Sequence, residues 1–169
     1  ASFNLPDFRA SERGFQLLTQ VAGRAGRGEF TGRVLFQTYN PDYYALESAK
    51  SQNYGEFYHT EIAAREEFDY PPFSQMIRLI ISSMNNFRAE KSAQEIALRL
   101  CTMIEKYGIS ERLEVLGPTP CVIERINSYY RFQIIIKNKL EEKGHNFISS
   151  FLNKITMPKD IKLAIDVDP

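Results

Sequence analysis

The sequence predicts a mixed α/β protein of the α+β class, built in two parts. The chain has 169 residues, enough for one domain and a piece of a second. A proline pair, Pro71 and Pro72, separates a mostly helical pattern in residues 1–70 from strands that alternate with helices in residues 71–169. Hydrophobic residues make up 43% of the chain and charged residues 25%, which excludes a disordered or fibrous protein.

The N-terminal part is expected to hold three helices and one strand. The first helix should begin at Ser11, whose hydroxyl can cap it, and end at Arg27, because Gly28 suits the left-handed position after a helix. Its apolar face at helical spacing comprises Phe15, Leu17, Leu18, Val21 and Ala22. The other expected elements are a strand over residues 33–38 and helices over residues 43–49 and 54–67.

The C-terminal part shows the order β-α-β-β-α-β. Strands are expected over residues 76–82, 113–116, 122–126, 129–137 and 161–167, and helices over residues 87–107 and 140–155. The sequence Gly117-Pro118-Thr119-Pro120 is expected to be a loop. The buried stripe of the first helix comprises Ala93, Ile96, Ala97, Leu100, Ile104 and Tyr107. This order is typical of a split βαβ, or ferredoxin-like, sandwich with two helices on one face of an antiparallel sheet.

Charge is balanced overall but uneven along the chain. With 21 basic and 21 acidic residues, the chain lacks the excess of cations that is typical of a dedicated nucleic-acid module. Residues 1–33 carry a net charge of +2 and residues 112–139 one of +3, whereas residues 56–69 carry −4. Nucleic-acid binding would therefore depend on local basic surfaces, and the acidic helix around residues 61–67 is expected to be an exposed face.

The cysteines and histidines do not indicate metal or nucleophilic chemistry. Cys101 and Cys121 have no C-x-x-C partners, and His59 and His145 lack zinc spacing, so no metal site is predicted. Two isolated cysteines favour a reducing, cytoplasmic location. No apolar run approaches the ~20 residues that a bilayer span needs, and no association with a membrane is expected.

The most specific motif lies in the first helix, where residues 20–27 read QVAGRAGR. Gln20, Arg24 and Arg27 are spaced i, i+4 and i+7, which places them on one helical face. The small residues between them, Gly23 included, allow another surface to approach closely, and two adjacent guanidinium groups suit a triphosphate. The alternative is a helix whose cations are merely stabilised near its carboxyl end by the macrodipole.

The motif also carries a resemblance to a known family. QVAGRAGR resembles the sixth motif of superfamily 2 helicases, and residues 5–41, LPDFRASERGFQLLTQVAGRAGRGEFTGRVLFQTYNP, resemble the primosomal replication-restart DNA helicases. Four later segments are similar to the C-terminal end of that family, in the same order. They are PPF at 71–73, the GPTP segment with IER at 123–125, YRFQ at 130–133 and DVDP at 166–169.

The resemblance implies a role for each residue of the first motif. Residues 1–70 would be the end of a RecA-like second helicase lobe with connecting helices, and Arg24 and Arg27 would reach from it towards ATP held by the first lobe. Arg27 is the better candidate for the finger on the γ-phosphate. Gln20 and Gly23 would lie at the ATP interface. The family further implies 3′-to-5′ unwinding of forked DNA, replication restart and primosome assembly with other primosome proteins.

Parts of an ATPase are missing from the sequence. It contains no G-x-x-x-x-G-K-[ST] phosphate loop and no DEAH-type carboxylate pair, so ATP and Mg²⁺ are expected only in a longer protein and this piece alone should be inactive. The zinc-binding cysteine cluster of the family is absent as well, and zinc is expected only in an upstream region. We therefore interpret the chain as a piece of a longer protein.

The C-terminal part presents a candidate binding surface. Alternation along residues 129–137 sends Phe132, Ile134 and Ile136 to one face of the sheet and the polar residues to the other. The predicted DNA- or partner-binding residues are Arg78, Arg125, Tyr129, Arg131, Gln133, Lys137 and Lys162. The alternative is that these side chains are simply solvated or serve in packing.

The resemblance implies what this surface would bind. The domain is similar in fold to a small-subunit ribosomal protein, and its expected ligands are single-stranded and forked DNA and the acidic tail of single-strand-binding protein. Arg131 and Gln133 match the region of the family that docks this tail. Tyr129 departs from the family, which has arginine there.

Three functional hypotheses follow. The first is the C-terminal part of an ATP-dependent DNA helicase that contributes ATP-sensing arginines and a binding domain. The second is a stand-alone nucleic-acid-binding module without ATP chemistry. The third is an adaptor that recognises acidic protein tails.

Overall fold

The computed structural model describes residues 7–25 and 33–168. The chain divides into two compact units, Ala1–Phe68 and Asp69–Pro169. The first unit contains three helices, α1 (Ala10–Ala25), α2 (Tyr44–Lys50) and α3 (Tyr54–Glu67). Among the residues described, no helix is both long enough and apolar enough to cross a membrane.

Aromatic packing forms the small core of the first unit. Phe15 on α1 and Phe57 on α3 stack with ring centroids 4.2 Å apart, and both side chains are buried. Ala45 and Ala49 of α2 complete the core, because their small side chains let that helix approach the rings closely. Three short helices are thereby held together around one aromatic pair.

The start of α1 differs from the prediction. The helix begins at Ala10, so Ser11 does not cap it, and the Ser11 hydroxyl instead bonds the Tyr43 hydroxyl. Asp7 lies in the turn that precedes the helix: its carboxylate accepts a bond from the Arg9 amide at 2.8 Å, and its carbonyl accepts one from the Ala10 amide at 2.9 Å. The predicted end of the helix, with Arg27 and Gly28, lies outside the described residues.

Two further expectations for this unit are wrong. Leu17 and Val21 are exposed, at 52% and 41%, because α2 and α3 pack on only one side of α1. Residues 33–38 form no strand, since no neighbouring strand within the described part of the unit pairs with them.

The second unit combines four strands and two helices in the predicted order. The elements are β1 (Gln75–Ser83), α4 (Asn86–Lys106), β2 (Leu113–Ile126), β3 (Tyr129–Asn138), α5 (Glu142–Asn153) and β4 (Lys162–Val167). The strands lie in the order β2-β3-β1-β4, and every neighbouring pair is antiparallel. The structure is therefore mixed α/β with a four-stranded antiparallel sheet, consistent with the α+β class.

One face of this sheet supports the core. The register pairs Ile77 with Ile136 and Leu79 with Ile134, and all four side chains are buried. Residues of α4 and α5 cover this face, and the predicted α4 stripe is buried except at Tyr107, which is 64% exposed because it lies just past the end of the helix. The predicted alternation along β3 is confirmed.

The segment Gly117-Pro118-Thr119-Pro120 is not the loop that the sequence predicts. It lies within β2, where the pairing with β3 shifts between Leu116 and Thr119. β2 is an edge strand, so prolines there do not interrupt a ladder on the outer side. Gly117 has a φ of +97°, and a Cβ at this position would lie 2.9 Å from the Gln133 carbonyl oxygen.

We predict that Gly117→Ala destabilises the second unit by about 3 kcal/mol. The new methyl group would clash with the backbone of β3, and a positive φ is strained for alanine. Gly108→Ala is the matched control: Gly108 also has a positive φ, +65°, but nothing lies within 4 Å of the place that its Cβ would take. This control should cost only about 1 kcal/mol. Urea unfolding followed by circular dichroism measures both, and equal losses would contradict the explanation.

Candidate nucleic-acid and nucleotide surfaces

The face of the sheet opposite the core, here called the open face, carries most of the predicted binding residues. Because paired residues share a face, the register places Arg131 of β3, Ser82 of β1 and Lys162 of β4 in one row across three strands. We call this set the cation row. Its two cations are separated by two strand spacings, about 10 Å between backbones. Tyr129 precedes Arg131 by two residues and therefore lies on the same face.

Carboxylates neutralise the other end of the open face. Arg78 Nη2 lies 2.6 Å from Asp166 Oδ2, and Lys137 Nζ lies 3.5 Å from Glu114 Oε2. The Lys137 side chain is only 12% exposed. Two of the predicted binding cations, Arg78 and Lys137, thus form ion pairs within the sheet. The sequence alone did not indicate these pairs.

The cation row is different. Among residues 7–25 and 33–168, neither Arg131 nor Lys162 has a carboxylate within ion-pair distance. Arg131 Nη1 donates to the Ile123 carbonyl oxygen at 3.3 Å. Lys162 Nζ lies 3.9 Å from the centroid of the Tyr129 ring, a cation–π contact that holds the ammonium group over the aromatic face. This end of the open face therefore combines two cations and an aromatic ring.

Two other predicted residues add no charge to the cation row: Arg125 lies on the other face of the sheet, and Gln133 is uncharged. The Arg125 guanidinium lies 4.9 Å from the centroid of Tyr130, whose side chain packs against the core on the other face. Gln133 lies on the open face, half-buried, between the cation row and the neutralised end.

Cys121 lies near the same cations and was not predicted to be part of the surface. Burial raises the pKa of its thiol, and the guanidinium groups of Arg131 and Arg78 partly oppose this shift. The thiol is therefore neutral near pH 7. No sequence signal identified it, because the shifted pairing of β2 between Pro120 and Arg125 decides where its side chain points.

The candidate nucleotide surface is the outer side of α1. Gln20, Gly23 and Arg24 are all exposed, and with Thr19 they line a depression of about 520 Å³. Nothing lies within 4 Å of the position that a Cβ of Gly23 would take, so the backbone there is open to approach. Arg27, the predicted finger, lies outside the described residues. The predicted face is thus exposed as far as the structure describes it.

A partly buried charge network links α1 to α3. Arg65 Nη2 donates to Glu12 Oε2 of α1 at 2.9 Å, and Arg65 Nε donates to Glu61 Oε1 at 2.7 Å. Glu61 also accepts from the Tyr44 hydroxyl, and burial together with this bond raises the pKa of Tyr44 far above its ordinary value. Glu61 is buried, so the prediction of a plain exposed acidic face is wrong at this position.

The reason for the error is a contact distant in sequence. Burial lowers the pKa of Arg65, but the hydrogen bonds and charges of Glu61 and Glu12 outweigh it and hold that pKa above its ordinary value. Glu61 and Arg65 are spaced i, i+4, a signal that is visible in the sequence. The third partner, Glu12, is 53 residues from Arg65, so this contact is not visible as a local pattern in the sequence.

Comparisons with known proteins show which family the chain belongs to. Residues 66–169 match the family model described as primosomal protein N C-terminal domain. Replication restart protein PriA of Synechocystis sp. is 40% identical over 98% of this chain and 19% of its own length. Those of Bacillus subtilis and Borreliella burgdorferi are 37% and 33% identical, over 99% and 98% of this chain and 21% and 24% of their own lengths.

The matched residues include the whole second unit, so this unit belongs to the class of primosomal protein C-terminal domains. The chain as a whole belongs to the family of replication restart protein PriA, which confirms the resemblance seen in the sequence. It spans about a fifth of the length of the relatives that it matches.

Proposed function

We propose that the chain is the C-terminal part of an ATP-dependent 3′-to-5′ DNA helicase that acts in replication restart and primosome assembly. Its second unit binds DNA and the acidic tail of single-strand-binding protein, and α1 supplies arginines that sense ATP. Family membership supports the proposal. The observation that carries it is the cation row, two cations without carboxylate partners among the described residues, beside the ring of Tyr129.

The chemistry of the cation row suits a flexible polyanion. Arg131 can bind a phosphate or carboxylate through two parallel hydrogen bonds, and Lys162 adds a point charge. Tyr129 offers an aromatic face on which a base can stack once Lys162 shifts towards a phosphate. A single strand supplies phosphates and bases together, and an acidic tail supplies carboxylates to Arg131 with Gln133 as an additional hydrogen-bonding group.

The outer side of α1 suits a triphosphate bound by a neighbouring lobe. Arg24 is exposed, and the open backbone at Gly23 leaves room for close approach. In this proposal ATP and Mg²⁺ are bound by the longer protein, Gln20 and Gly23 lie at the interface, and Arg24 and Arg27 stabilise charge on the transferring phosphoryl group. ATP then supplies the free energy for unwinding.

The remaining features of the proposal concern the parent protein. The first unit would be the end of a RecA-like second lobe, and the second unit a split βαβ domain, as its strand order β2-β3-β1-β4 supports. Without a phosphate loop, this piece alone would not hydrolyse ATP. Zinc would bind only to an upstream region, and the protein would act in the cytoplasm with other primosome proteins.

For the open face, we predict that Arg131→Ala with Lys162→Ala weakens binding of this chain to fluorescent single-stranded DNA. Two fewer phosphate contacts should also reduce the slope of log K against log salt by roughly 1.4. The matched control is Lys91→Ala with Arg99→Ala, which removes the same charge from the exposed side of α4. Fluorescence anisotropy at several salt concentrations measures both variants, and equal effects would refute a site at the cation row.

For α1, we predict that Arg27→Ala in the full-length protein lowers ATPase turnover by about 10³-fold, since a finger arginine contributes that much to phosphoryl transfer. Arg24→Ala should lower it as well. Arg13→Ala is the control, because Arg13 is on the same helix but pairs with Asp7. Unchanged turnover in both motif variants would leave the chain as a binding module without a role in ATP chemistry.

A further inference from the structure

The first turn of α1 holds the side chains that orient this helix. Glu12 Oε2 accepts from Arg65 Nη2 of α3 at 2.9 Å, and the Ser11 hydroxyl bonds the Tyr43 hydroxyl. Within the described part of the first unit, no hydrogen bond or ion pair joins the side chains of residues 17–25 to another helix. Hydrogen bonds have a preferred direction, whereas apolar contacts do not. The direction of α1 therefore depends on its first turn.

Arg65 binds two carboxylates at once through different atoms of its guanidinium group. Nε donates to Glu61 Oε1 at 2.7 Å within α3, and Nη2 donates to Glu12. The other oxygen of Glu61 accepts from the Tyr44 hydroxyl of α2, which orients Glu61 in turn. Because the guanidinium group is planar, a fixed Nε also fixes the direction in which Nη2 points. The Arg65 side chain is only 14% exposed, so little water reaches these bonds.

The link through Arg65 is needed because α1 packs chiefly against α2. α3 reaches α1 through aromatic side chains, such as Phe57 on Phe15, and through Arg65. Ring stacking keeps the helices together but resists their rotation and sliding only weakly, since it is an apolar contact. The bond between Arg65 and Glu12 is directional, and it therefore sets how α1 is oriented on α3.

The far end of α1 carries residues that the proposed function places at the nucleotide. Arg24 follows Glu12 by 12 residues, which is about 18 Å along a continuous helix. A tilt of about 3° at the first turn would move the backbone of Arg24 by about 1 Å, and such a displacement can cost on the order of 100-fold in rate. The placement of Arg24 is thus sensitive to a contact made at the opposite end of the helix.

We propose that Arg65, acting through Glu12, is a positioning residue for ATP turnover by the longer protein. It holds α1 in the direction at which Arg24 and Arg27 meet the transferring phosphoryl group. The inference rests on the proposed ATP-sensing role of α1 and adds the pair of residues that sets its geometry. Neither Arg65 nor Glu12 touches ATP in this account, and their effect passes through the two arginines of the motif.

The experiment measures the ATPase kinetics of the full-length protein with Glu12→Ala, because this change breaks the link and leaves Arg65 paired with Glu61. The matched control is Glu47→Ala, since Glu47 also lies in the first turn of a helix and pairs with a cation, Lys50. We expect Glu12→Ala to lower kcat about tenfold and to change KM for ATP by less than about twofold, because a misplaced arginine weakens transition-state contacts rather than substrate binding. The control should match the unchanged protein.

A second background separates positioning from stability. In protein that already carries Arg24→Ala and Arg27→Ala, Glu12→Ala should change kcat by less than about twofold, because the groups that it misplaces are gone. A merely structural role would lower kcat by the same factor in both backgrounds. Circular dichroism of each variant confirms that it is folded.

The positioning role is wrong if Glu12→Ala leaves kcat unchanged, if Glu47→Ala lowers kcat as much, or if Glu12→Ala causes an equal loss in both backgrounds. None of these results bears on the two arginines themselves. Failure of the proposed function gives a separate result, unchanged turnover in the protein that lacks both Arg24 and Arg27, and it would overturn the positioning role as well.

Discussion

The strict alternation of buried and partly exposed side chains along β3 is the constraint on which the second unit depends. β3 is an interior strand, paired with both β1 and β2, and its residues Phe132, Ile134 and Ile136 are buried against the helices. The intervening residues must then face the opposite side, so the core and the open face are two consequences of one register. A shift of one residue would bury Arg131 and expose the apolar side chains.

Charge is distributed over the open face by long-range pairing. β4 brings Asp166 next to Arg78, and β2 brings Glu114 next to Lys137, which neutralises one end. The same strand β4 also brings Lys162 into the row of Arg131, and there no acidic residue of the described chain accompanies it. A balanced composition therefore still yields a local basic surface, and the position of that surface is decided by sheet topology.

The sequence predicted the order of elements in the second unit and the face of each β3 residue, because both follow from periodicity within one segment. It did not predict the continuity of β2 through Gly117, nor the burial of Glu61, because these depend on partners distant in the chain. The exposed face of α1 was likewise predicted from spacing, although Arg27 lies outside the described residues. Local pattern was sufficient for the order of elements in the second unit, whereas strand pairing decided that residues 33–38 form no strand and which cations of the open face are paired.

Chemical footprinting of lysines tests the central claim, that the cation row is where a polyanion binds. The chain is treated with acetic anhydride with and without saturating single-stranded DNA, and modification of Lys162, Lys91 and Lys154 is compared by mass spectrometry. Our account predicts that DNA protects Lys162 severalfold, whereas the two exposed lysines on α4 and after α5 keep their rates. Equal rates with and without DNA at Lys162, or protection of all three lysines alike, would contradict it.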